Sequence, residues 1–211
     1  MTQSILNTHV SQVITALKML EIQASSDQVE LFLKHLLLLQ KWNKAYNMTA
    51  ITAIDEMLTK HLFDSLAIAP FITGESIIDV GTGAGFPGIP LAILRPNKNY
   101  VLIDSVAKKI RFLNYIKGEL KLDNITPIHM RIQDYQAQIK FDHVLSRAFS
   151  SVQNFYKLCH PLVRKNGSLL AMKGADTEVD QLQSLPIDYG IIQLKVPFLA
   201  AKRHLVVMNS N

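Results

Sequence analysis

Hydrophobic positions change their spacing about a third of the way along the chain. In the first ~70 residues they recur every three or four positions, as on one face of a helix, and no strand pattern is present. Ile5, Val13, Ile14, Leu17 and Leu20 mark a first helix; Val29, Phe32, Leu33, Leu36, Leu37 and Leu39 mark a second. Ser25 and Gln28 stand three apart at the head of the second, the spacing of a capping box. A third helical stretch follows Thr52, with Asp55 and Glu56 set against the positive end of its dipole. After Gly74 short apolar runs alternate with amphipathic segments. Strands are predicted at 76–80, 100–104, 126–130, 143–146, 168–173, 191–196 and 204–209, and helices at 89–94, 107–120, 152–163 and 177–184. Such alternation predicts an α/β fold with a mostly parallel sheet covered on both faces. The last two strands have no helix between them, which predicts an antiparallel hairpin at the edge. The expected division is a helical N-terminal extension over 1–73, packed on a core domain over 74–211.

With 211 residues, 48% hydrophobic and 18% charged, the chain can build one full domain plus a small appendage and does not read as disordered. Its net charge of +5 favours a polyanionic partner. The single cysteine, Cys159, excludes an intramolecular disulfide and a multi-cysteine zinc site. Histidines are scattered, so no metal is expected. The first twenty residues lack a basic segment followed by an apolar one, and the apolar run at 31–39 is interrupted by Lys34 and His35. That run is also far shorter than the ~20 residues a bilayer requires. The expectation is a cytoplasmic protein without a membrane partner.

The segment Asp79-Val80-Gly81-Thr82-Gly83-Ala84-Gly85-Phe86-Pro87-Gly88 falls where the first strand should hand over to the first core helix. Glycines there permit a tight turn with positive φ and let the backbone approach a ligand. Two cofactor classes compete for it. Gly83, Gly85 and Gly88 have the dinucleotide spacing, with Asp104 about twenty residues on as a ribose acid. The same segment reads as an acid, Asp79, followed by glycines at every second position, which resembles the first motif of S-adenosylmethionine-dependent methyltransferases. Asp104 serves both, since a carboxylate can accept from two ribose hydroxyls. Asp79 favours the second reading, because a carboxylate beside the loop repels a pyrophosphate but can face a cationic cofactor. Five strands and a hairpin also leave no second mononucleotide half.

Further motifs narrow the reading. They are Trp42-Asn43 with Asn47-Met48-Thr49, Lys60-His61-Leu62-Phe63-Asp64-Ser65-Leu66, the glycine loop running into Phe86-Pro87-Gly88-Ile89-Pro90, Asp104-Ser105, Lys108-Lys109, Arg111-Phe112-Leu113, Ser146-Arg147-Ala148 and Lys173-Gly174. With these the chain, from about Leu31 to Val207, resembles the bacterial small-subunit ribosomal RNA methyltransferases G, or glucose-inhibited division protein B. The resemblance implies a Rossmann-like class I methyltransferase fold with a seven-stranded sheet. It implies methylation of a guanine N7 in the 530 loop of 16S ribosomal RNA (position 527 in the usual 16S numbering), with that RNA or the small subunit as partner; the expected state of the protein is a monomer. It also implies roles: Gly81 and Phe86 lining the cofactor pocket, Ile132 and Gln133 meeting the adenine, and Arg147 beside the cofactor and the incoming base.

Guanine N7 carries an exposed lone pair, so transfer from a sulfonium needs positioning and no general base. Arg147 is the expected positioning and charge-balancing residue; the alternative is that it pairs with Asp79 or another acid in the mouth of the sheet. The cofactor set is thus Asp79, Gly81, Gly83, Gly85, Phe86, Asp104, Ile132, Gln133 and Arg147. Lys108, Lys109, Arg111, Lys173 and Arg203 are the expected RNA contacts, with Lys60 and Lys202 as further candidates, whereas Lys117 and Lys121 read as an ordinary solvated face. Trp42 and Tyr46 read as a helix packing seam rather than a base platform. His61 and Asp64 read as a structural hydrogen bond joining the extension to the core, Cys159 as a small buried hydrophobe and Met172 as core. Two rivals stay open: an NAD(P)-dependent oxidoreductase, and a non-catalytic ribosome-binding module.

Overall fold

A computed structural model describes residues 3–147, 149, 151–174 and 186–210, with side chains from residue 8 onward. The predicted helix at 177–184, the side chain of Ile5, and Ala148 lie outside the described residues. Two long helices come first, α1 (Gln3–Met19) and α2 (Ser26–Tyr46). A third helical run follows as α3 (Ile54–Met57), a π-helical turn at Leu58–Phe63 and α4 (Asp64–Leu66). The core then alternates: β1 (Ser76–Val80), α5 (Gly88–Leu94), β2 (Asn99–Asp104), α6 (Ala107–Leu120), β3 (Ile125–His129), β4 (Phe141–Ser146), α7 (Val152–Cys159), β5 (Val163–Lys173), β6 (Tyr189–Leu194) and β7 (Arg203–Asn209).

The seven strands form one sheet in the order β3-β2-β1-β4-β5-β7-β6. Pairs among β1 to β5 are parallel, whereas β7 runs antiparallel to both neighbours. The predicted hairpin is present, but its second strand slots in beside β5 and leaves β6 at the edge. Strand β5 starts five residues earlier than its hydrophobic pattern suggests. Arg164, Lys165 and Asn166 are exposed there, and the register with β4 shifts between Phe141 and His143, so alternation is broken without ending the strand.

Period-two alternation sends neighbouring residues to opposite layers. Ile77, Leu102, Leu145 and Leu170 join a core with α2, α5, α6 and the helical extension; Ile78, Ile103, Val144 and Leu169 join a second core with α7. The capping box is formed as expected: Gln28 N donates to Ser25 Oγ at 3.2 Å and Ser25 N to Gln28 Oε1 at 3.0 Å. The Gln28 amide has a second use. Its Nε2 donates to the carbonyls of Ile93 and Leu94 at 2.8 and 3.1 Å, so one side chain closes the start of α2 and the end of α5. A cap contributes about 1 kcal/mol. Trp42 lies 5.0 Å from Tyr46 and 5.3 Å from both Phe112 and Tyr115, making the predicted seam between α2 and α6. Met172 and Cys159 are buried, and burial pushes the Cys159 thiol up to about 12.

Candidate functional site

The glycine loop lies at the carboxyl end of β1, and its amides are largely committed to the protein itself. Gly81 and Thr82 donate to Ile103 O at 2.9 and 3.2 Å, and Gly85 and Phe86 both donate to Thr82 O at 3.0 Å. Gly83 N donates to Asp104 Oδ2 at 2.9 Å, while Asp104 Oδ1 accepts from Val106 N at 2.9 Å. Asp79 Oδ2 accepts from Thr82 Oγ1 at 2.7 Å and from Gly88 N, at the start of α5, at 2.9 Å. A dinucleotide loop turns such amides toward a pyrophosphate; here an internal carboxylate takes the helix-start amide of Gly88.

Three cavities open in series along this edge of the sheet. The first, about 390 Å³, is bounded by Gly81, Asp104, Ser105, Ile132 and Gln133, with Phe149 and Leu158 on its apolar side. The second, about 250 Å³, has Gly81, Gly83, Phe86, Arg147, His61 and Lys109 in its wall. The third, about 320 Å³, is ringed by Lys60, Asp64, Arg147, Lys173 and Arg203 above Ile51 and Met172. Gly81 joins the first to the second; His61 and Arg147 join the second to the third. Gly83 has φ +61°, and a Cβ built on it meets nothing within 4 Å, so the loop backbone faces open space.

Of the expected cofactor residues, Gly81, Asp104, Ile132 and Gln133 thus meet around one cavity and Gly83, Phe86 and Arg147 around the next. Asp79 and Gly85 do not join them, which corrects their placement. Asp79 is fully buried beneath the loop, and burial first of all raises its carboxyl to about 6 despite the Thr82 and Gly88 hydrogen bonds. Gly85, at φ +93°, packs against α5: a Cβ there would come 2.3 Å from Ile89 Cγ1. Both shape the turn from behind, and neither lines the three cavities.

Arg147 pairs with Asp64 rather than Asp79. It donates from Nη1 to Lys60 O at 3.0 Å and to Asp64 Oδ2 at 3.2 Å, and its guanidinium stands 5.6 Å over the Phe86 ring. Arg203 Nε donates to the other oxygen, Asp64 Oδ1, at 3.1 Å. One buried carboxylate therefore ties the end of β4 and the start of β7 to the extension. The expected His61–Asp64 hydrogen bond is replaced. His61 contacts Thr49 and Arg147, and Asp64 spends both oxygens on arginines, because the turn between them places the two side chains on different neighbours.

The expected RNA residues divide. Lys173 and Arg203 border the third cavity, with Lys173 Nζ also donating to Phe149 O at 2.6 Å. Lys108 and Lys109 instead reach the end of α2: Lys108 Nζ donates to Tyr46 O at 2.8 Å and Asn47 O at 3.2 Å, and Lys109 Nζ to Met48 O. Lys109 is half-buried, and desolvation holds its ammonium below the usual range. Arg111 is exposed on α6 and borders none of the three cavities. Lys117 also has a structural partner, Ile125 O at 2.7 Å.

Sequence reasoning passed over His35, treating it only as a break in an apolar run. It is buried, its Nε2 lies 3.0 Å from Ala84 O, and its ring stacks on Phe86 at 4.8 Å; His61 stacks on the same phenylalanine at 4.7 Å. A histidine on the apolar face of α2 was the available signal. Burial lowers His35 to about 4; burial and then the Arg147 charge lower His61 to about 3.

Among the described residues no helix is long and apolar enough to cross a membrane. The family described as GidB, rRNA small subunit methyltransferase G, matches residues 28–206. A relative from Francisella philomiragia subsp. philomiragia, named ribosomal RNA small subunit methyltransferase G, is 54% identical over 193 residues, covering 92% of this chain and 94% of its own. Among solved structures, a SAM-dependent O-methyltransferase from Thermotoga maritima is similar with a TM-score of 0.56 at 16% identity, over 70% of this chain and 64% of that one. TYW2 from M. jannaschii, solved in complex with AdoMet, is similar with a TM-score of 0.52 at 18% identity, over 69% and 73%. These structural likenesses establish a methyltransferase fold, and the match over most of the sequence establishes more: the chain belongs to the rRNA small subunit methyltransferase G family.

Proposed function

We propose that this protein is a cytoplasmic, S-adenosylmethionine-dependent enzyme that methylates N7 of a guanine in the 530 loop of 16S ribosomal RNA. The observation that carries the proposal is the run of three joined cavities, with the Asp104 carboxylate at one end and a cluster of cations at the other. The residues fit the cofactor. Asp104 has spent one lone pair on each oxygen and can still accept from ribose hydroxyls at the first cavity. Ile132 and Gln133 would flank the adenine, and the open backbone at Gly81 and Gly83 would admit the methionine portion. Because most of the loop amides are already paired, the crevice offers little to a pyrophosphate, which disfavours the nicotinamide alternative.

When bound, the cofactor supplies an electrophilic methyl group on a sulfonium. The protein's own contribution is placement. Arg147 stands between the second and third cavities, where it can orient the incoming base. Lys60, Lys173 and Arg203 at the third would attract the RNA backbone, giving salt-dependent affinity. N7 needs no deprotonation, so the transfer asks for no general base.

The test uses ribosomal RNA from cells lacking the gene, incubated with the protein and labelled S-adenosylmethionine, with the modified base identified by mass spectrometry. Label on 7-methylguanine in the 530 loop is expected; label elsewhere or none refutes the proposal. Thermal shift with S-adenosylhomocysteine against NAD distinguishes the cofactor classes independently of RNA.

A further inference from the structure

We infer that His61 is a positioning residue for methyl transfer: it holds Arg147 from a tautomer that the helical extension sets through Thr49. The inference rests on the reading of the joined cavities as cofactor crevice and RNA mouth. Its geometry is independent of that reading. A guanidinium has only donors, and Arg147 Nη2 lies 3.3 Å from His61 Nδ1. That nitrogen must therefore present its lone pair. A neutral ring accepting at Nδ1 carries its proton on Nε2, and Nε2 lies 3.0 Å from Thr49 Oγ1, which accepts it. Thr49 is itself fixed: its hydroxyl oxygen accepts from Ile51 N at 3.2 Å, and its amide donates to Asn43 Oδ1 at 2.8 Å. A continuous path runs from the end of α2, through Thr49 and His61, to the arginine beyond β4.

The ring cannot tilt freely to let the arginine go. Phe86 stacks on it at 4.7 Å with 19° between planes, and His35 also stacks on Phe86. With His61 at one guanidinium nitrogen, and Lys60 O and Asp64 at the other, Arg147 is oriented before any ligand arrives. The choice of imidazole matters chemically. A second carboxylate at this position would neutralise the guanidinium; a neutral acceptor fixes its direction and leaves its charge for the substrate. Burial keeps the ring in that neutral form. Arginine has a long, rotamer-rich side chain, so holding it in advance removes a cost otherwise met in the transition state.

Full-length His61→Phe, His61→Asn, Thr49→Val and Thr49→Ser proteins test this. Phenylalanine keeps the stack on Phe86 and removes both nitrogens; asparagine restores an acceptor near the Nδ1 position. His61→Phe should lower kcat for ribosomal RNA by about tenfold to a hundredfold, with a much smaller fall in S-adenosylhomocysteine affinity measured by calorimetry. His61→Asn should recover much of the loss. Thr49→Val should lower kcat in the same sense and Thr49→Ser restore it; this pair carries the test if His61→Phe does not fold. An unchanged kcat in the phenylalanine and valine variants overturns the inference, as does a parallel loss of cofactor affinity or a failure of asparagine to rescue. A wild-type protein that binds the cofactor but does not methylate ribosomal RNA would instead sink the functional proposal, and this role with it.

Discussion

Three groups buried around the glycine loop should together remove about 3 kcal/mol of folding stability as the pH falls from 7 to 5, and His143, also lowered by burial, adds to the loss in the same direction. His35 is held at about 4 by burial, and His61 at about 3 by burial and then by Arg147. Both folded values lie below the ordinary 6.5. As the pH drops through 6.5 the unfolded chain takes up protons that the folded state refuses, so stability falls. At pH 5 the solution stands about 1.5 units below the unfolded value, and at ~1.4 kcal/mol per unit each ring costs ~2 kcal/mol. Asp79 acts with the opposite sign. Burial raises its folded value to about 6 from 3.8. Between those limits the folded state binds a proton that the unfolded chain does not, which gives back ~1 kcal/mol by pH 5. The net is a loss of ~3 kcal/mol. Urea unfolding at constant ionic strength, followed by far-UV circular dichroism at pH 7, 6 and 5, measures it. His35→Gln keeps an amide donor for Ala84 O without a titrating ring, and should abolish ~2 kcal/mol of the pH dependence. A wild-type stability that is flat or rises toward pH 5 would refute the view that both rings are desolvated and neutral.

Asp104→Asn should weaken S-adenosylhomocysteine binding by about tenfold to a hundredfold, the equivalent of a charged hydrogen bond; an unchanged ligand-induced rise in Tm removes Asp104 from the cofactor site. Gly88→Ala should destabilise by about 1–3 kcal/mol through overpacking, because its Cβ would lie 2.3 Å from Leu102 Cδ2 and 2.9 Å from Asp79 Oδ2; a neutral result in denaturant unfolding would contradict that packing. Changing Lys108 and Lys109 together to Ala should lower stability by about 1–2 kcal/mol through lost contacts to the end of α2, and should also flatten the salt dependence of RNA affinity. An unaltered salt slope would leave the two lysines with their structural role alone.

Much was legible in the sequence because it depended on local rules. Hydrophobic spacing located the helical extension and the strand–helix alternation, since side-chain periodicity follows directly from helix and strand geometry. Ser25 and Gln28 announced a capping box three residues apart, and the glycine loop announced a ligand turn, because positive φ leaves few residue choices. The quoted motifs placed the chain in its family. Tertiary structure alone decided which side chains meet. Asp79 looked like a cofactor contact from its position beside the glycines, yet burial turned it inward to brace Thr82 and Gly88. Lys108 and Lys109 read as RNA contacts from their place at the ligand end of the sheet, and the fold also gives their ammonium groups partners at the end of α2. Asp64 gained Arg147 and Arg203 as partners from 83 and 139 residues away. Local spacing determines what one element presents, whereas a hydrogen bond across such separations exists only once the chain has packed; hence the elements could be read in advance and the wiring of the site could not.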